Sequence, residues 1–149
     1  MAESTQFSNL VGAIVANLIN VLVIGVFIAR LSHRPKIEYW LGIAVISTIV
    51  PLVYLFVTAV GFKRPFIYFI QIGLMIAYLV VELLLDYVLK VDFRQNRSIV
   101  IPYVTLLFTG TGGMIGVASH AGKVWTAVTV ISFLIMAVLA FVQRSITGQ

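Results

Sequence analysis

Long apolar runs separated by short polar breaks dominate the chain. A helix rises about 1.5 Å per residue, so about 20 apolar residues cross a hydrocarbon layer of about 30 Å. Five stretches reach that length, over 8–31, 39–61, 66–89, 99–119 and 124–143. The pattern predicts an all-α membrane protein, a single domain built as a bundle of five transmembrane helices with short loops. Pro35, Pro65 and the Gly122-Lys123 pair supply breaks between runs. The last two runs are parted only by His120-Ala121-Gly122-Lys123. Without a hairpin there, one span of about 45 residues would result, too long for a bilayer.

Composition agrees. The 149 residues are 61% hydrophobic and 10% charged, with a mean hydropathy of +1.10. Soluble domains are about 45–50% apolar and about 25% charged, so the lipid bilayer is the expected surrounding. The net charge of +5 sits in short loops. It is read as a topology signal rather than a nucleic-acid surface. Arg30, Arg34, Lys36, Lys90, Arg94, Arg97 and Arg144 fall on one side, and Lys63, Arg64 and Lys123 on the other. Basic residues favour the cytoplasmic side, which predicts an outer N-terminus and a cytoplasmic C-terminus. The expected location is the cell membrane, plasma or inner, as a multi-pass protein. Met1 to Ser8 carries Glu3 and no basic residue, so the first run is expected to be a retained helix. Tyr39, Trp40, Tyr68, Tyr87, Tyr103 and Trp125 fall near the expected interfaces.

Much chemistry is excluded. There is no cysteine, hence no disulfide or thiolate metal site. His33 and His120 fall on opposite faces, which does not suit bis-histidine haem ligation. No zinc-type histidine pair, phosphate-binding loop or serine nucleophile elbow occurs. No cofactor, metal or catalytic residue is expected.

Small and polar residues mark protein-facing sides in a membrane, because lipid gives apolar surfaces little reason to pair. Stripes at helical spacing are Asn9, Ala13, Ala16, Asn17 and Asn20 in the first run, and Ser47, Pro51, Tyr54 and Thr58 in the second. The third holds Gln71, Met75, Tyr78, Glu82 and Asp86, the fourth Thr105, Thr109, Gly112, Gly116 and Ser119, and the fifth Thr129, Ser132 and Met136. Pro51, mid-span, should kink its helix, while Pro102 falls in a first turn and costs little. Gly110, Gly112, Gly113 and Gly116 point to close packing or a hinge. The Gly112-x-x-x-Gly116 spacing is the expected contact face, so Gly112→Leu is expected to disrupt helix association.

Glu82 and Asp86 are the most informative residues. They lie four apart in an apolar run and share a face. Glu82 is about 12 Å along the axis from Lys90, within the hydrocarbon. An unpaired carboxylate there costs roughly 2.5–3.5 kcal/mol, so it must be protonated, paired or facing water. The structural reading pairs Asp86 with Lys90 and sets Glu82 against Asn17, Asn20, a tyrosine hydroxyl or Arg30. The functional reading makes Glu82 a site for a proton, cation or polar substrate group, with Asp86, Tyr78, Gln71, Asn17 and Asn20 around it. Lys90, Arg94 and Arg97 form a basic loop for lipid headgroups or a partner. The function expected first is a small transporter or channel-like protein. The alternatives are a non-catalytic subunit or scaffold packing through its glycine and asparagine faces, and an intramembrane lipid-acting enzyme. A homo-oligomer or a second membrane protein is the expected partner.

Overall fold

The computed structural model describes residues 2–148, and among them helices joined by short connections account for nearly the whole chain. Helix α1 spans Ala2–Leu31. The second span is two pieces, α2 (Pro35–Ser47) and α3 (Ile49–Gly61), meeting at Thr48. Helix α4 (Phe66–Glu82) continues into a π-helical turn, Leu83–Val88. Helices α5 (Arg97–Ser119) and α6 (Lys123–Thr147) complete the bundle. Five helical spans are therefore long and apolar enough to cross a membrane. The first begins at Ala2 rather than Ser8, and the last runs to Thr147 rather than Gln143.

The break at Thr48 follows from Pro51. Proline has no N–H and its ring crowds the carbonyl four residues earlier, here Ser47. The helix restarts with Leu52 N donating to Thr48 O at 3.2 Å. Three spans end by one device. His33, Lys63 and Lys90 adopt left-handed φ of 54°, 52° and 51°. Arg34 N then reaches Ala29 O at 2.9 Å, Arg64 N reaches Ala59 O at 3.1 Å, and Val91 N reaches Leu85 O at 3.0 Å. Glycine is the usual residue at such a turn. A basic or imidazole side chain in its place sits beside the open carbonyls at a helix C-terminus, where cations are favoured.

Helix α1 is the central strut, packed against α2, α3, α5 and α6, while α4 and α5 form the most extensive pair. Gly12, Ala13 and Ala16 of α1 are buried, as are Leu52, Leu55, Ile72, Met75, Leu79 and Met114 around it. Large apolar side chains such as Val57, Val60, Val124, Val138 and Phe141 face outward, an arrangement compatible with a membrane protein.

The structure corrects two stripes. Ser47 and Tyr54 of the second span are exposed, and Leu52, Leu55 and Ala59 face inward instead. In α5, Thr105, Thr109 and Ser119 are exposed. Their hydroxyls donate to their own helices: Ser47 to Ile43 O at 3.0 Å, Thr105 to Ile101 O at 2.7 Å, Thr109 to Thr105 O at 2.7 Å and Ser119 to Gly116 O at 2.6 Å. A hydroxyl satisfied this way needs no interior partner.

The glycine face is also shifted. A Cβ added to Gly110 would stand 3.2 Å from Met75 Cα, and one on Gly113 3.3 Å from Gln71 Cα. On Gly116 it would meet the Gln71 side-chain amide at 2.1 Å. The contact face is thus Gly110, Gly113 and Gly116, three apart, against α4. Gly112 points elsewhere, its nearest neighbour the Phe133 ring at 3.9 Å. Gly110→Val and Gly113→Val should each destabilise the protein by about 1–3 kcal/mol, the usual cost of overpacking. Gly112→Ala should be neutral or gain up to about 1 kcal/mol from helix propensity. Thermal unfolding in detergent separates the two positions, and equal losses at Gly112 and Gly113 would refute the assigned face.

Candidate functional site

The α4–α5 contact continues to one end of the bundle, where it becomes polar. Glu82 is the last residue of α4, buried at 8% exposure. Tyr103, seven residues before Gly110 on α5, donates its hydroxyl to Glu82 Oε2. The Tyr78 hydroxyl, one turn before Glu82, donates to the same oxygen at 3.4 Å and lies 3.3 Å from the Tyr103 hydroxyl. Phe93, 1% exposed, folds in from the connection after the π turn and meets the Tyr103 ring edge-on at 4.8 Å.

Asp86, four residues on, lines the same cavity as Glu82. A π turn takes about one more residue than an α turn, and here it keeps the two carboxyls on one side. The Leu89 N to Leu84 O bond of 2.8 Å is its signature. Asp86 does not pair with Lys90. Its Oδ2 accepts from Arg94 Nη2 at 2.7 Å, because left-handed Lys90 turns the chain back and brings Arg94 over the site. Burial alone would depress the Arg94 guanidinium, but the hydrogen bond and charge of Asp86 outweigh it and hold it above its usual range. Arg94 also lies 4.9 Å over the Phe93 ring. Across the site, Arg30 of α1 pairs with Glu38 of α2, Nη2 to Oε1 at 2.6 Å and Nε to the same oxygen at 2.8 Å. Tyr87 fits its hydroxyl into the notch left by Gly42, where a Cβ would stand 2.0 Å away, and donates to Tyr39 O at 3.2 Å.

The charge pattern is uneven. Among the described residues, two guanidiniums each hold one carboxylate, Arg30 with Glu38 and Arg94 with Asp86. Glu82 is the third carboxyl at the site, and its hydrogen-bond partners are the Tyr78 and Tyr103 hydroxyls. Two adjoining cavities meet at it. One, about 220 Å³, is the more open and reaches Pro35 and Tyr39 at the loops. The other, about 100 Å³, is mainly apolar and runs among α1, α5 and α6. Glu82, Arg30 and Arg94 line both.

Other expected site residues lie elsewhere. Asn17 and Asn20 are used in the α1–α6 contact. Asn17 Nδ2 donates to Thr129 Oγ1 at 2.8 Å and Asn20 Nδ2 to Ser132 Oγ at 2.9 Å, while Ser132 Oγ donates to Asn17 Oδ1 at 3.3 Å. Asn20 Oδ1 is buried without a partner. Gln71 lies about 16 Å along α4 from Glu82, at 1.5 Å per residue, tucked against Gly113 and Gly116. The basic loop is split: Lys90 and Arg97 are exposed, whereas Arg94 turns inward. The glycine and asparagine faces, expected to hold a partner, are filled within the chain. Pro51 acts at the Thr48 break, away from the acids.

Sequence reasoning passed over Phe93 and Glu38, and read Tyr103 and Tyr87 only as interface aromatics, although a tyrosine hydroxyl was among the partners expected for Glu82. Glu38 could have been found, since it lies eight residues after Arg30 across a loop closed by Pro35. A second polar group occupies the opposite end. Arg64 contacts Asn9 and lies 5.0 Å over the Tyr68 ring, and Tyr68 meets His120 edge-on at 5.5 Å. Burial, and then the charge of Arg64, lower the His120 pKa from its usual value.

A double-mutant cycle discriminates the ion pairs. Asp86→Asn with Arg94→Gln should show a coupling of about 1 kcal/mol, while Asp86→Asn with Lys90→Gln should be additive. Unfolding in detergent reads both, and coupling to Lys90 instead would overturn the assignment. No protein-family model, curated protein or solved structure matches the chain, so the ground for its function is the chemistry of the site itself.

Proposed function

We propose that this multi-pass protein is a small membrane transport protein in which Glu82 alternately holds a proton and a cationic solute group. The observation that carries the reading is a buried carboxyl with no cation of its own, at the junction of two cavities, one of which reaches the loops. Neutralisation by a proton or by a bound cation answers the cost of leaving that charge in a low dielectric. Tyr78 and Tyr103 suit either state, because a hydroxyl can donate to a carboxylate or accept from a carboxylic acid. Asp86 links the site to the wider cavity and holds Arg94. The positive-inside pattern favours a cytoplasmic face for that cavity. A dry bundle serving only as a scaffold has no use for a cavity at an unpaired acid.

Infrared difference spectra between acid and alkaline buffer, on protein in liposomes, should contain a carboxylic C=O band that vanishes in Glu82→Gln. Tetraethylammonium chloride at fixed pH should diminish that band in the wild-type protein. A spectrum identical in wild type and Glu82→Gln would remove the proton-holding role.

A further inference from the structure

The smaller cavity has an uneven wall. Its inner end is Glu82 with the Tyr78 and Tyr103 hydroxyls. From there it runs along Val104 and Phe108 of α5 and Ala140 and Phe141 of α6. Phe141 is 68% exposed on the outer face of α6, and its ring stacks on Phe108 at 6.0 Å with an 18° interplanar angle. The outer end of the cavity is thus the apolar, membrane-facing surface between two helices, while its inner end is an acid. The helices meet below this level through Phe108 and Phe133, ring centroids 6.3 Å apart.

We infer that the Glu82 chamber is loaded from within the bilayer, through the slot between α5 and α6, by a single-chain cationic amphiphile whose ammonium group reaches Glu82. The inference rests on the proposed role of Glu82 and adds the class of solute and its route. Three features select that class. The wall is mainly apolar and suits an alkyl chain, and its buried amide, Gln143, donates to Thr147. The charge left over at the inner end is negative, because Arg30 and Arg94 have their own carboxylates. A cavity of about 100 Å³ takes the head group and the first few methylenes of one chain, and the rest of that chain lies along the exposed Phe141 face. Arg144 also lines the cavity but is exposed at its rim. It stands one turn past Ala140 on α6, and its charge opposes an ammonium resting at that end of the mouth. Tyr and Phe rings around the acid add cation–π attraction for the same head group.

Native mass spectrometry of the detergent-solubilised protein can count bound amphiphile. The probes are decylamine, decanoate and decyl glucoside, which share a tail and differ in the head. Decylamine should be retained in preference to the other two. Glu82→Gln should weaken its retention about tenfold or more, the scale of one charge-assisted contact. Ala140→Trp, which fills the slot without touching the acid, should weaken it similarly, and Arg144→Gln should leave it unchanged or improve it a few-fold. Melting by circular dichroism checks that each variant is folded, and Ala140→Trp carries the test if Glu82→Gln does not fold. Equal retention of the three amphiphiles, or decylamine held undiminished by Ala140→Trp, would overturn the inference. If the Glu82 carboxyl band responds to pH but decylamine is not retained, the route and solute class fall while the proton role stands. If the band does not respond, both fall.

Discussion

The backbone of α5 lies against the backbone of α4, and the polar site exists because of that approach. Gly110 and Gly113 bring the two helices so close that a single added carbon would press on the Cα atoms of Met75 and Gln71. In lipid, such contacts supply the packing energy that apolar burial supplies in water. The same α5 face continues through Leu107 to Tyr103. Held this close, the Tyr103 hydroxyl reaches the Glu82 carboxyl, and Tyr78 completes the pair from below. Packing of small residues in one part of the interface therefore sets the chemistry two turns away.

Much of this was legible in the chain. Five runs of sufficient length gave five spans, because lipid leaves the backbone no alternative to continuous helices. The asparagine stripe of α1 found its interior, since a buried amide must bond across to another helix, and Thr129 and Ser132 answered it. Threonine and serine misled, because each can close a bond to its own helix and then face lipid. The glycines misled by one residue. Spacing by four is the familiar rule, but α4 is met by glycines spaced by three, and only the partner helix decides between them. The acid pair was plain, but its partner was not. The i+4 rule that points from Asp86 to Lys90 assumes an unbroken α-helix. A π turn and a left-handed residue replace that helix here and substitute Arg94.

Those irregularities share one location. The π turn, the Lys90 reversal, the inward Phe93 and the Gly42 notch that receives Tyr87 all surround the acids. Each breaks a local preference, and π turns are frequently found at functional sites. The remaining helices hold their regular form, with the Thr48 break the exception. The structure thus concentrates its departures from regular geometry where ionisable groups must be aimed, and leaves the rest to packing.

The site is also one-sided. Ile72, Met75 and Leu79 of α4 form a fully buried apolar layer with Leu52 and Leu55 of α3. Beyond that layer lie Tyr68, Arg64 and His120 at the other end. A charged group in the Glu82 chamber meets hydrocarbon in the forward direction and cavities behind and beside it. Charge cannot cross a dry layer of that kind at low cost. Movement through the bundle would have to part α3 from α4 or α1. The Thr48 break is placed for such a change, since Pro51 weakens the hydrogen-bond ladder there and α3 can tilt about the Leu52 N to Thr48 O bond. In the proposed transport role, a chamber at one end and a packed apolar layer beyond it call for a carrier that rearranges rather than an open pore.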